Sequence, residues 1–421
     1  MPATTRTLPF SALRHRNFRL FITGQFVSLC GTWMQSIALG WLVLELTDSA
    51  FAVGLVGALG ALPVLLFTLQ AGAMASRVNR LRAVIVLQSL MLIQAAVLAA
   101  LTWTGQATLG RIILLAAFSG TLSAFEIPTR HTLVMDLVGR DDLMNAIALH
   151  STAFNVSRVI GPALAGILTA SFGPAICFTV NAVSYLAVLA GLLRIQPELA
   201  HPAPALSVPS LPATLAYVLA PGWPRALVSL SAIYTIFAVS FLTVLPVYAR
   251  DVLGTDAAGY GGLTSAFGIG AAAGALVLAA LGSRFRQGEV AIRTGLLIGG
   301  SLVLLGLLPW LPLALGLLVA GGAALAINAI TTNTLLQMEA PEEFRGRVIG
   351  VYAFIVVGLG PFGAFQAGWV GEHLGIRLEA VLGGAVCLGA TLWAIRQIPR
   401  FPQTRTQRLT TNDQALTTIP P

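Results

Sequence analysis

The chain has 421 residues, of which 56% are hydrophobic and only 10% charged. Soluble domains carry about 25% charged residues, which excludes a water-soluble globular protein and predicts an integral membrane protein. The formal net charge is +8 and every basic residue is Arg. These arginines sit in short stretches between apolar runs, so they read as topology signals and not as a nucleic-acid-binding surface.

Residues 1–19 hold Arg6, Arg14, Arg16 and Arg19 and lead into a full-length apolar span with no small-residue cleavage site. That pattern predicts a cytoplasmic tail and not a removable signal. A helix needs about 20 apolar residues to cross the hydrocarbon core. By that rule about twelve spans are predicted, at 20–43, 53–75, 83–103, 111–133, 145–169, 175–193, 227–248, 258–281, 291–310, 313–337, 348–370 and 378–396. Residues 196–224 carry seven prolines. Proline lacks a backbone donor and breaks helices, so this stretch is expected to be a cytoplasmic linker, with a short amphipathic piece from Leu211 to Leu219 lying on the membrane surface. It divides the chain into a six-helix bundle at 20–195 and another at 225–396, followed by a cytoplasmic tail at 397–421. The expected fold class is therefore an all-α membrane protein of two six-helix bundles.

With both termini inside, 20 of the arginines fall in predicted cytoplasmic segments and only Arg111, Arg250 and Arg377 on the outer side, a strong positive-inside bias. Trp41, Trp103, Trp310 and Trp369 fall near predicted outer boundaries, where amphipathic rings prefer to sit. The halves echo each other: Gly161-Pro162 in segment five matches Gly360-Pro361 in segment eleven, and Thr132-Leu133 matches Thr334-Leu335. Parallel six-helix repeats are a transporter architecture with a substrate site between them.

Ionisable groups at membrane depth need a reason. Glu126 and Arg130 are four apart on segment four and share a face; the pair serves either to orient that helix or to exchange a proton. Arg158 lies about 20 Å along segment five at 1.5 Å per residue and needs an anion or a hydrated cavity. Glu126 is its first candidate partner and Asp136, also a candidate proton-coupling residue, its second; the alternatives are a structural pair, a gate, or an attractor for an anionic or catecholate-like substrate. Glu45, at the outer end of segment one, is an interfacial helix end or a proton-path residue. Gly161, Pro162 and Gly166 read as close packing with a kink, and Gly270 and Gly274 as packing. Trp33, Gln35, Asn155, Asn181, Tyr185, Tyr234, Asn328 and Asn333 lie at depths where they either line a substrate cavity or bond neighbouring helices. Glu342, Glu343, Arg345 and Arg347, in EEFRGR, read as a cytoplasmic ion-pair gate or a solvated loop. Cys30, Cys177 and Cys387 are isolated in apolar segments, so neither a disulfide framework nor a metal site is expected. A chain without Lys has no phosphate-binding GxxxxGK[ST] loop, and no nucleophile–base pair points to an enzyme.

The motifs FSALRHRNFRLFITGQFVSLCGTWM, WLVLELTDSAFAVG, EIPTRHTL, DDLMNAIALHSTAFNVSRVIGPALAG and EEFRGRVIGVY resemble the major facilitator superfamily, in its drug and siderophore exporter branch, from about Phe10 to Arg400. The resemblance implies a secondary active exporter of a small amphipathic molecule in the cytoplasmic membrane, without cofactor, working by proton antiport and as a monomer. It also implies that Gly161-Pro162 belong to an antiporter motif and that RGRV belongs to the inner gate. In the loop GAMASRVNRLR, Gly72, Arg77, Arg80 and Arg82 match the superfamily pattern, but Ser76 stands where Asp is expected, which puts that loop's latch in doubt. A lipid or lysophospholipid flippase, and a non-transporting receptor or assembly factor, are the other readings of the same scaffold.

Overall fold

The computed structural model describes residues 10–75, 77–139, 141–195, 222–281, 286–340 and 342–396. Among them, 12 helices are long and apolar enough to cross a membrane. In hydrocarbon every backbone polar group must be satisfied within the protein, so these apolar runs have helix as their available solution. The first six are α1 (Arg16–Thr47), α2 (Ala50–Ala75), α3 (Arg80–Trp103), α4 (Leu109–Val138), α5 (Leu143–Phe172) and α6 (Ala175–Leu192). The second six begin with α7, in three pieces: Trp223–Ile233, a wide π turn Tyr234–Val239, and a tight turn Ser240–Thr243. A second π turn, Tyr248–Val252, follows it. Then come α8 (Ala257–Leu281), α9 (Gln287–Leu307), α10 (Leu311–Glu339), α11 (Glu342–Gly358 continued by Gly360–Leu374) and α12 (Ile376–Ile395). Of the predicted linker 196–224, residues 196–221 lie outside the described residues, as do the surface piece Leu211–Leu219, Ser76, Arg140 and the C-terminal tail; Trp223 and Pro224, placed in the linker from sequence, instead open α7, where Pro is tolerated in a first turn.

All twelve predicted spans match helices, with two corrections. The predicted single helix 227–248 is α7 and its broken continuation; Pro246 supplies no N–H there, and at the wide turn the Ser240 hydroxyl donates to the Thr235 carbonyl at 2.9 Å. The matched Gly-Pro pairs also behave differently. Gly161-Pro162 lies inside an unbroken α5, whereas Gly360-Pro361 opens the second piece of α11.

Each half packs through small residues. The α1–α6 and α2–α4 contacts close over glycines, as do α9–α12 and α8–α10, where Gly270 and Gly274 face Val319 and Ala323. Gly72 takes no part in this packing: a Cβ there would meet nothing within 4 Å. Of the tryptophans expected at the membrane boundary, Trp103, Trp310 and Trp369 are exposed, but Trp41 is buried and stacks on Tyr260 with ring centroids 6.2 Å apart.

The start of α1 and the end of α12 lie at one end of the bundle, the termini end, and the opposite end is the far end. At the termini end a single turn, Ser11–Arg14, is clasped onto the start of α5. The Ser11 hydroxyl donates to Asp142, His15 Nε2 lies 2.8 Å from the other Asp142 oxygen, and the Ala12 N–H donates to Asn145 at 3.0 Å. The Ser11 hydrogen bond, then His15, hold the Asp142 carboxyl below its ordinary value of 3.8. A depressed carboxyl stabilises the fold above its unfolded value and loses that contribution as pH falls through the folded one. A nitroxide at Phe10→Cys is therefore expected to be immobile at neutral pH and to loosen as pH drops below 3.8. In Asp142→Asn it should be loose throughout, and identical mobility in the two proteins would remove the clasp.

Candidate functional site: a polar cavity between the halves

A cavity of about 500 Å³ lies between the two halves near mid-depth. Its walls come from α1, α2, α3, α4 and α5 on one side and α7 and α8 on the other. It is sealed at the far end by backbone-close contacts. A Cβ on Gly54 (α2) would fall 2.5 Å from the Ala364 carbonyl and 2.6 Å from Gly368 Cα on α11. Likewise a Cβ on Gly166 (α5) would fall 2.8 Å from the Ala257 carbonyl and 3.0 Å from Gly261 Cα on α8. Only glycine lets backbones approach this closely.

Polar contacts reinforce the seal. Glu372 at the end of α11 accepts from the Ser49 hydroxyl at 2.9 Å and the Phe51 N–H at 3.1 Å, so it caps α2 from the other half. Arg250 bridges to Asp48 across the halves and to Asp251 at 2.5 Å. Ser265 on α8 donates to the Val159 carbonyl of α5 at 2.9 Å. These polar contacts between the halves lie at mid-depth or at the far end.

Arg158 projects into this cavity from α5. Its expected carboxylate partners are committed elsewhere, which corrects the sequence reading. Glu126 pairs with Arg130 Nε at 2.9 Å and accepts from Gln88 Nε2 at 2.9 Å; Arg130 in turn donates to His150. Asp136 pairs with Arg80 at 2.6 Å. Among the described residues the Arg158 guanidinium has no carboxylate within ion-pair distance. It lies instead over two aromatic faces, Phe267 of α8 at 4.9 Å and Trp33 of α1 at 5.9 Å from the ring centroids. The cation–π attraction, about 0.5–2 kcal/mol, steadies the group without neutralising it. Gly161 makes this possible, because α5 crosses α1 where a Cβ would fall 2.6 Å from Trp33 Cβ.

The remaining candidates separate into three groups. Trp33 and Gln35 line the cavity. Asn181 does not, but stands behind it, donating to Gln35 at 2.8 Å; Gln35 donates to Gln94 at 3.2 Å, and Gln94 to the Leu115 carbonyl at 3.3 Å. Tyr185 likewise backs α1, 3.4 Å from the Thr32 hydroxyl.

The other polar candidates bond within their own half: Tyr234 to Thr391 at 2.8 Å, Asn328 to Thr294 at 3.0 Å, Asn155 to the Ser151 carbonyl at 2.9 Å, and Asn333 to Gln337 at 3.0 Å. Glu45 is exposed at the far end of α1, taking the Trp41 indole N–H at 2.6 Å. Arg77 and Arg82 are exposed at the termini end. The side chains of Glu342, Glu343, Arg345 and Arg347 lie outside the described ones.

The cavity also contains residues that the sequence did not single out: Ser36, Ser119, Ser123, Gln94, Tyr260 and Thr264. Their signal was a repeat of hydroxyls and amides along one helical face. Inside an apolar helix that pattern looks the same as hydroxyls bonded back to their own carbonyls, as at Thr102, Thr121 and Thr129.

A family model described as transmembrane secretion effector, a branch of the major facilitator superfamily, matches residues 7–417. The chain belongs to the major facilitator superfamily. It is 26% identical over 398 residues to the enterobactin exporter EntS of Shigella flexneri, covering 93% of this chain and 95% of that one. It is 27% identical over 361 residues to the multidrug efflux pump Tap of Mycolicibacterium fortuitum, covering 82% and 87%. Among solved structures, a bacterial homologue of the human lysosomal transporter Spinster superposes with a TM-score of 0.72 at 15% identity, covering 92% of this chain and 98% of that one. That likeness bears on the fold alone. This superfamily member is a multi-pass inner-membrane transporter whose two halves meet over a polar cavity.

Proposed function

We propose that this transporter exports an anionic, aromatic small molecule, a siderophore or drug-like compound, from the cytoplasm by alternating access coupled to proton antiport. The observation that carries the reading is Arg158, a cation set between two aromatic rings in the cavity with no carboxylate partner among the described residues. A guanidinium in that setting offers N–H donors to a carboxylate or catecholate and faces against which its ring can stack. The relatives named for enterobactin export and multidrug efflux support the same class of cargo. The arginine distribution supports a cytoplasmic termini end, so the cavity, sealed at the far end, belongs to the state that loads from inside.

The test is an untargeted comparison of small molecules in cells and medium, with the protein deleted and overproduced, with and without a protonophore. An anionic aromatic compound that accumulates in the deletion strain and leaves the overproducer only with the gradient intact is the expected result. A neutral cargo, or export indifferent to the protonophore, would contradict it.

Glu126, buried with Arg130 and Gln88, is the proposed coupling group of the N-terminal half. Glu126→Gln keeps the shape but cannot ionise, so it is expected to abolish gradient-dependent export while the protein still folds and inserts. Export at the wild-type rate would move coupling away from this residue.

A further inference from the structure

The C-terminal half contains an acid that the cavity does not use. Glu379 sits in the first turn of α12, is 1% exposed, and among the described residues neither carboxyl oxygen has a hydrogen-bond partner. It does not cap its own helix. The nearest cation in sequence, Arg377, is spent on the end of α9, donating to the carbonyls of Gly306 at 2.9 Å and Leu307 at 3.1 Å.

One turn further along the same face, Gly383 lies where a Cβ would fall 3.3 Å from both the Phe237 carbonyl and Leu302 Cδ2. This face of α12 therefore enters the wedge between α9 and the π turn of α7. The other titratable and charged groups on these elements are engaged or distant. Tyr248 donates to the Leu305 carbonyl at 2.7 Å, Tyr234 bonds Thr391, Arg250 bridges Asp48 and Asp251, Glu372 caps α2, and Cys387 is two turns away. Glu289 and Arg293 pair with each other at the opposite end of α9.

An unpartnered carboxylate so fully buried is among the most unfavourable groups a fold can carry; a carboxylic acid is not. We propose that Glu379 is a proton-binding site of the C-terminal half, loaded while the far end is closed and emptied when α7 and α12 part. The geometry supplies both the hinge and the exit. Wide turns of this kind are frequent at functional sites, and α7 carries one against α12. A far-end vestibule of about 690 Å³ is lined by Ile376, Arg377, Leu378 and Val381, the residues flanking Glu379. On opening, the acid's O–H bond breaks, the proton passes to a vestibule water, and the electron pair stays on the carboxylate. Use of this site in export rests on the antiport reading; the binding of the proton does not.

Infrared spectroscopy of the whole protein in lipid nanodiscs tests it without any cargo. The wild type is expected to show a protonated carboxyl C=O band that shifts with ¹³C-labelled glutamate. The band should be lost in Glu379→Gln, kept in Glu126→Gln, and restored at a shifted position in Glu379→Asp, which covers the case in which the Gln variant fails to fold. No glutamate band in the wild type, or a band unchanged in Glu379→Gln, overturns the proposal. A full band in Gly54→Leu protein whose far end is shown by cross-linking to be open overturns the unloading step. A wild-type band together with export that ignores a protonophore keeps the proton site and removes the antiport reading.

Discussion

Arg158→Gln is expected to reduce export of an anionic cargo by about 10- to 100-fold while neutral amphiphiles move at close to the wild-type rate. A hydrogen bond to a charged group contributes about 1.5–3 kcal/mol, and about 1.4 kcal/mol is tenfold in affinity. Gln retains N–H donors but neither the charge nor the fork. Because Arg158 has no carboxylate partner among the described residues, its removal leaves no buried anion behind. The loss therefore reports on cargo and not on a broken structural pair, which would cost about 3–5 kcal/mol of stability. Arg158→Lys separates charge from geometry: partial retention is expected, since an ammonium attracts an anion but makes no bidentate contact. The measurement is the initial efflux rate from preloaded vesicles for one anionic and one neutral compound. Equal losses for both would assign Arg158 to the conformational cycle instead.

Gly54→Leu is the second large effect. Its first added carbon would sit 2.5 Å from the Ala364 carbonyl and 2.6 Å from Gly368 Cα, both backbone atoms of the opposite half. Neither can step aside as a side chain can, so α2 and α11 must separate. The far-end-closed state is expected to be lost and transport to stop, with the protein still folded, because each half packs within itself. The Ser49–Glu372 contact, 2.9 Å across the halves, supplies the readout. A Ser49→Cys, Glu372→Cys pair should cross-link readily in the parent and at least ten times more slowly when combined with Gly54→Leu, since about 1.4 kcal/mol of lost closure gives that factor. Unchanged cross-linking would mean that α11 accommodates the added side chain elsewhere.

The helices and their division into two sixes were legible because hydrocarbon leaves the backbone so few options. What one-dimensional reading missed was lateral. Depth offers Arg158 either Glu126 or Asp136 as partner, yet depth does not say which neighbour a helix face meets; Arg130 and Arg80 hold those acids. In sequence Glu379 resembles an interfacial residue, an acid in the first turn of a span, and only the packing around it buries both oxygens. Among the cavity candidates, Trp33 and Gln35 were found through aromatic and amide character at mid-depth. Tyr234 and Asn328 have the same character and the same depth but turn into their own half.

The amide chain from Asn181 through Gln35 and Gln94 to the Leu115 carbonyl runs in one donor direction across α6, α1, α3 and α4. None of its members ionises, so no change of pH or gradient can unzip it, and it ties four helices of one half into a stiff frame. The opposite half is tied by single contacts, Tyr234 to Thr391, Tyr248 to the Leu305 carbonyl and Tyr352 to the Ala329 carbonyl, while the backbone of α7 is interrupted at Tyr234–Val239 and again at Tyr248–Val252, and α11 is split at Leu359. Bending is thus unequally shared. The continuous helices of the N-terminal half are the anvil that holds the guanidinium at a fixed station, and the interrupted helices of the C-terminal half are where bending against it is expected.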